Sequence, residues 1–228
     1  ALSSAAEALR ALDFNTSVGV AVALLAIYFL SGESTSAPLV TIHADDDESK
    51  TVLDGKKKYD PDTKPPAGKI PCWDPATLDY LGEVPVSTPA AIRSAVVRAK
   101  AAQALWGDSP FVQRRLLMRT LLRFVVANQD TIARVACRDS GKPPVDAFFG
   151  EILVTCEKLK WMIARGEGCL ADEHREAGTL MPHKRVRVEY KPLGVIGAIV
   201  PWNYPFHNVI NPIIAALFSG NAIVIKVS

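Results

Sequence analysis

Two prolines bracket one side-chain amide in Pro201-Trp202-Asn203-Tyr204-Pro205. A loop fixed on both sides and carrying a single amide suits an oxyanion hole, where a donor must stand ready at the place negative charge develops. The pattern also allows Asn203 simply to cap the turn that follows, and both readings stay open on pattern alone. The apolar stretch 195–200 runs into this loop, and a second apolar stretch, 222–225, runs into Lys226. Both have the unbroken apolar character of strands covered on two faces. Asn211-Pro212 opens a short helix between them that runs to Leu217, and Gly220 closes it. Strand, helix and strand at this spacing form a βαβ unit with a parallel pair. Ligands of such sheets bind beyond the carboxyl ends of the strands, so Asn203 and Lys226 are expected to face one crevice.

Other residues of reactive type carry less. Cys72, Cys137, Cys156 and Cys169 form no C-x-x-C pair, and no histidine stands at zinc-ligand spacing from any of them. They read as small buried hydrophobes. Asp139-Ser140-Gly141-Lys142-Pro143 lacks the upstream glycine of a phosphate loop and has proline where the magnesium-binding hydroxyl belongs. It reads as a helix stop, with Gly141 as the cap. Arg115, Arg119 and Arg123 share one helical face and read as a solvated stripe. His43, His174 and His183 suggest no role, and helix-start polarity accounts for His207. A net charge of +2 does not nominate nucleic acid as a partner.

The elements that position the loop begin near Pro71. Thr88-Pro89 starts a helix that carries Ile92, Ala95, Val96, Ala99, Ala102 and Trp106 at helical spacing, and Gly107 ends it. Ser109-Pro110 starts a second, with Leu117, Leu121, Phe124 and Val125 as its stripe. A third long helix carries Phe149, Ile152, Cys156, Leu159 and Ile163 as core packing. Residues 185–190 alternate as a strand with Val186, Val188 and Tyr190 on a packed face. With 49% hydrophobic and 22% charged residues, the chain is expected to fold rather than stay disordered.

Ahead of these lie two segments of different character. Residues 18–30 (VGVAVALLAIYFL) are apolar throughout, and they read as a membrane anchor, a cleaved signal or a buried helix. Residues 33–69 are rich in Ser, Thr, Pro, Asp and Lys and read as a flexible linker. The expected organisation is an anchor or signal segment over 1–32, the linker over 33–69 and a globular part over 70–228. The absence of an initial Met, and an end just after an apolar strand, lead us to expect a fragment.

Residues 192–205 (PLGVIGAIVPWNYP) resemble the signature of the aldehyde dehydrogenases around their proline-tryptophan-asparagine loop. Gly220-Asn221-Ala222-Ile223-Val224-Ile225-Lys226 resembles the next strand of that family. Asp139 to Pro143 and Gly150-Glu151 resemble its earlier helix landmarks. With the apolar leader and Cys156-Glu157-Lys158, the chain looks most like plant aldehyde dehydrogenase family 22. The resemblance implies an α/β fold, with a partial Rossmann-type parallel sheet preceded by a helical region and an N-terminal hydrophobic helix. It implies oxidation of an aldehyde to a carboxylic acid with NAD or NADP through a cysteine thioester. Asn203 would then hold the oxyanion, Lys226 the adenosine ribose, and Ile199, Val200, Pro201 and Trp202, with Asn203, would line the cofactor cleft. The strand at 185–190 resembles the family's bridging strands, which implies a homo-oligomer of the whole protein. None of the four cysteines matches the nucleophile's context, so the catalytic cysteine and glutamate are expected beyond Ser228, and residues 1–228 alone are expected to be inactive. Transfer of the acyl group to coenzyme A and a membrane-tethered scaffold are the alternatives. The leader implies attachment to a membrane of the endoplasmic reticulum or secretory pathway, and with it a long-chain or membrane-derived aldehyde.

Overall fold

The structure, a computed structural model, describes residues 37–40, 59, 60, 64 and 67–228. The apolar segment 18–30 lies outside the described residues. Among the described residues no helix is long and apolar enough to cross a membrane.

The described chain opens with an antiparallel hairpin of β1 (Lys69–Trp73) and β2 (Tyr80–Pro85). Tyr59 packs edge-on against Trp73 and donates its backbone N–H to the Leu78 carbonyl, so ordered contacts reach back ahead of Pro71. Asp74 holds the turn, accepting from the N–H groups of Ala76 and Thr77.

Three helices follow: α1 (Pro89–Trp106), α2 (Phe111–Ala127) and α3 (Gln129–Ser140). Thr88 caps α1 as its sequence predicts, with Oγ1 accepting from the Ala91 N–H at 3.2 Å and Pro89 at the first helical position. Gly141 ends α3 at φ 72°, a left-handed conformation that glycine adopts without a Cβ clash.

The third long helix of the sequence reading is built in three pieces: α4 (Pro144–Ala147), a π-helical segment (Phe148–Leu153) and α5 (Val154–Arg165). This corrects its expected stripe. Ile152, Cys156 and Leu159 are buried, but Phe149 is 58% exposed. The wider π turns break the regular phase on which the spacing argument depends. They bring Phe148, Glu151 and Ile152 to the buried side instead.

A short 3₁₀ turn (Gly168–Leu170) leads to the hairpin of β3 (Glu173–Arg175) and β4 (Val186–Val188). Val186, Val188 and Tyr190 were expected on a packed face, but all three are exposed. Among the described residues no element packs over so short a hairpin.

The last unit is β5 (Val195–Ile199), α6 (His207–Phe218) and β6 (Ala222–Lys226). The strands pair in parallel, from Val195 opposite Ala222 to Ile199 opposite Lys226. β5 is not covered throughout, since Ile199 is 84% exposed, whereas Ala222 to Ile225 of β6 are buried or half-buried. The helix also differs from its expected start at Asn211-Pro212. It begins four residues earlier, and Pro212 lies inside it. Pro212 gives no N–H to the carbonyl four residues back, so local signals favour a break there. The continuation is tertiary: Ile214 and Phe218 are buried in the core with Met118, Leu122, Ile152, Cys156 and Leu159. Each such side chain contributes on the order of 1.5–3 kcal/mol by leaving water.

Candidate functional site

Both ends of α6 are held by side chains from the helical layer. At its start, the fully buried Glu151 accepts from the backbone N–H groups of Phe206 (3.0 Å) and His207 (2.9 Å) through Oε2. These are orphan donors of a helix N-terminus, where a carboxylate is favoured by charge as well as by hydrogen bonding. At its end, Trp106 Nε1 donates to the Leu217 carbonyl, Arg114 Nη1 to Phe218 and Gln103 Nε2 to Gly220. Arg114 is buried and also donates to the Gly107 carbonyl and to Ser109 Oγ. Burial holds its guanidinium below the usual range, with Asp108 opposing that shift.

Glu151 has a second task. Its Oε1 takes the Lys142 ammonium at 2.6 Å, and the same Nζ donates to the Asn203 carbonyl at 2.7 Å. The ammonium also sits 3.9 Å from the centroid of the Tyr204 ring. Gly150 allows this approach, because a Cβ there would stand 2.4 Å from Tyr204 Cε1. The loop 201–205 is thus tied to the π-helical segment through its backbone and through Tyr204.

The side chain of Asn203 is oriented from α6. Asn208 Nδ2 donates to Asn203 Oδ1 at 3.2 Å and to the Pro201 carbonyl at 3.4 Å. Asn203 is exposed. Its Nδ2 donates to no protein atom among the described residues. His207 sits behind the loop, with Nδ1 3.0 Å from the hydroxyl of the buried Thr155. Burial pulls the imidazole below its usual range, Glu151 opposes this and Lys158 adds to it.

The parallel register brings the predicted residues to one edge. Lys226 is the last residue of β6, opposite Ile199, and its carbonyl accepts from the Val200 N–H at 3.1 Å. Its ammonium is exposed and makes no bond to protein among the described residues. Ile199, Pro201 and Trp202 are exposed beside it, whereas Val200 is buried. Apolar surface next to a free ammonium and a free amide donor is what a nucleotide cofactor with hydroxyl-bearing sugars needs. Cys156, by contrast, is wholly buried, and no three His, Cys, Asp or Glu side chains gather as a metal site among the described residues.

The sequence profile of the aldehyde dehydrogenase family matches residues 63–228. The chain belongs to that family. An aldehyde dehydrogenase-like protein of Saccharomyces cerevisiae is 51% identical over 162 residues, which are 70% of this chain and 25% of that protein. A Schizosaccharomyces pombe protein of the same description is 45% identical over 157 residues, covering 69% of this chain and 30% of the other. Among solved structures, a Mycobacterium tuberculosis aldehyde dehydrogenase complexed with NAD+ superposes with a TM-score of 0.63 at 28% identity, over 72% of this chain and 34% of that one. The chain therefore spans roughly a quarter to a third of these aldehyde dehydrogenase relatives.

Sequence reasoning missed four residues of this candidate site in the aldehyde dehydrogenase chain: Lys142, Glu151, Asn208 and Arg114. Lys142 and Glu151 stood in the motifs that carried the family resemblance, but nothing local told that they would meet each other.

Proposed function

We propose that this chain is the part of a nicotinamide-dependent aldehyde dehydrogenase that holds the oxyanion and part of the cofactor. The observation that carries the proposal is the exposed Asn203, its backbone carbonyl held by Lys142 and its Oδ1 by Asn208, with its N–H₂ group bonded to no protein atom among the described residues, in the loop that follows the strand paired with Lys226. Attack of a thiolate on an aldehyde carbonyl puts a full negative charge on oxygen, and a fixed amide donor stabilises that charge without reorganising. The thiolate comes from the rest of the protein, because Cys156 is buried and Cys72, Cys137 and Cys169 lie outside this loop. A nicotinamide cofactor, NAD or NADP, supplies the hydride acceptor. Lys226 donates to its ribose, and Ile199, Pro201 and Trp202 give the apolar wall, with Val200 buried behind them. The hairpin of β3 and β4, exposed on both faces, serves as a bridge between subunits.

We further propose a membrane tether at residues 18–30, supported by their apolar character, and kinship with plant aldehyde dehydrogenase family 22, supported by the leader together with Cys156-Glu157-Lys158.

The test is aldehyde-dependent formation of NADH or NADPH by the whole protein, with residues 1–228 alone giving none. Lys226→Met separates binding from chemistry. Loss of a charge-assisted hydrogen bond is expected to raise the cofactor KM about 10-fold while kcat changes little. An unchanged cofactor KM would place Lys226 outside the cleft.

A further inference from the structure

An exposed amide has two faces of similar shape, and only one of them can hold an oxyanion. The surroundings of Asn203 select that face. Asn208 lies on the first turn of α6, and its Nδ2 reaches both the Pro201 carbonyl (3.4 Å) and Asn203 Oδ1 (3.2 Å). A backbone carbonyl only accepts, so it draws the donor end of the Asn208 amide toward the loop. A donor there calls for the oxygen of Asn203 and turns its nitrogen away. The main chain cannot follow a rotating side chain, because Lys142 holds the Asn203 carbonyl at 2.7 Å and is itself held by Glu151. Pro201 thus fixes Asn208, and Asn208 fixes Asn203.

We infer that Asn208 is a positioning residue: it keeps the N–H₂ face of Asn203, rather than the carbonyl face, turned toward the oxygen of the aldehyde. The inference rests on the reading of Asn203 as the oxyanion donor. With the amide turned over, one partial negative charge would meet another, and the donor would be lost altogether.

Asn208→Asp reverses the polarity of the chain. Its carboxylate accepts but does not donate, so it draws Asn203 Nδ2 inward with a charge-assisted hydrogen bond. The competent orientation becomes the minor one, and kcat is expected to fall about 10- to 100-fold with the cofactor KM unchanged. Asn208→Ala leaves Asn203 free to turn either way, so the expected loss is only about 2-fold, the factor for two orientations of equal weight. A direct effect of the new charge on the oxyanion is separated by repeating both changes in an Asn203→Ala background of the whole enzyme. If Asn208 acts through Asn203, neither change costs anything further there.

Equal losses in the two backgrounds would overturn the inference, as would a wild-type kcat for Asn208→Asp while Asn203→Ala is impaired. A wild-type kcat for Asn203→Ala itself would instead remove the oxyanion reading on which it stands. Should Asn208→Asp not fold, Asn208→Ala in the two backgrounds decides the matter in the same way.

Discussion

Replacing Glu151 with Ala is expected to destabilise the fold by about 3–5 kcal/mol, the range for removing one partner of a buried ion pair. The change has three local consequences. Lys142 loses its carboxylate partner in a position where its side chain is only 11% exposed. The N–H groups of Phe206 and His207 lose their acceptor. A cavity opens beside Ile152 where a fully buried carboxylate stood. The measurement is the urea midpoint of the whole protein, set beside Glu151→Gln. Glutamine keeps the shape and one acceptor oxygen, so it should restore the packing and the helix cap but not the charge facing Lys142. Its midpoint is expected between those of Ala and wild type. A wild-type midpoint for Glu151→Ala would mean that α6 is started by something other than this carboxylate.

Asn203→Ala is expected to lower kcat by about 100- to 1000-fold, the usual cost of one oxyanion donor. Asn203 is exposed and lies in a loop, so its removal should leave the urea midpoint near wild type. The loss should appear equally in kcat and kcat/KM, since the donor meets its charge only after attack on the carbonyl. Steady-state kinetics of the whole enzyme with a saturating cofactor provide the check. A fall in kcat below about 10-fold would leave Asn203 as a turn-capping residue with no electrostatic part in the chemistry.

These two residues were not equally legible. Asn203 and Lys226 could be marked from pattern, because parallel strands deliver their last residues to one edge whatever the details of packing. The register of β5 with β6 sets Lys226 opposite Ile199, the last residue of the strand that leads into the loop of Asn203. Glu151 could not be marked in the same way. Its partners on α6 lie 55 and 56 positions later, and a lone acidic residue in a helical stretch has no signature of burial. Arg114 is a sharper case. Sequence periodicity drew attention to Arg115, Arg119 and Arg123, yet the arginine that closes α6 is their neighbour Arg114, which meets a carbonyl 104 positions away. The π-helical segment hid the rest. Spacing arguments assume a constant turn, so a change of turn at Phe148–Leu153 moves the core face by a residue without altering composition. The start of α6 was misplaced for a related reason. Asn211-Pro212 is a good local start signal, and the tertiary cap from Glu151 outweighs it.

Both clamps on α6 also bear on the order in which the protein is made. Gln103, Trp106, Arg114 and Glu151 all precede α6 in the chain and leave the ribosome before it does. A short helix interrupted by Pro212 is a poor candidate to form alone, since nucleation is costly and one ladder bond is missing. It emerges instead onto a helical layer that already carries the acceptor for its first turn and the donors for its last. The polarity of the chain thus lays down the helical layer ahead of α6, and ahead of the loop 201–205 that leans on Lys142 and Gly150.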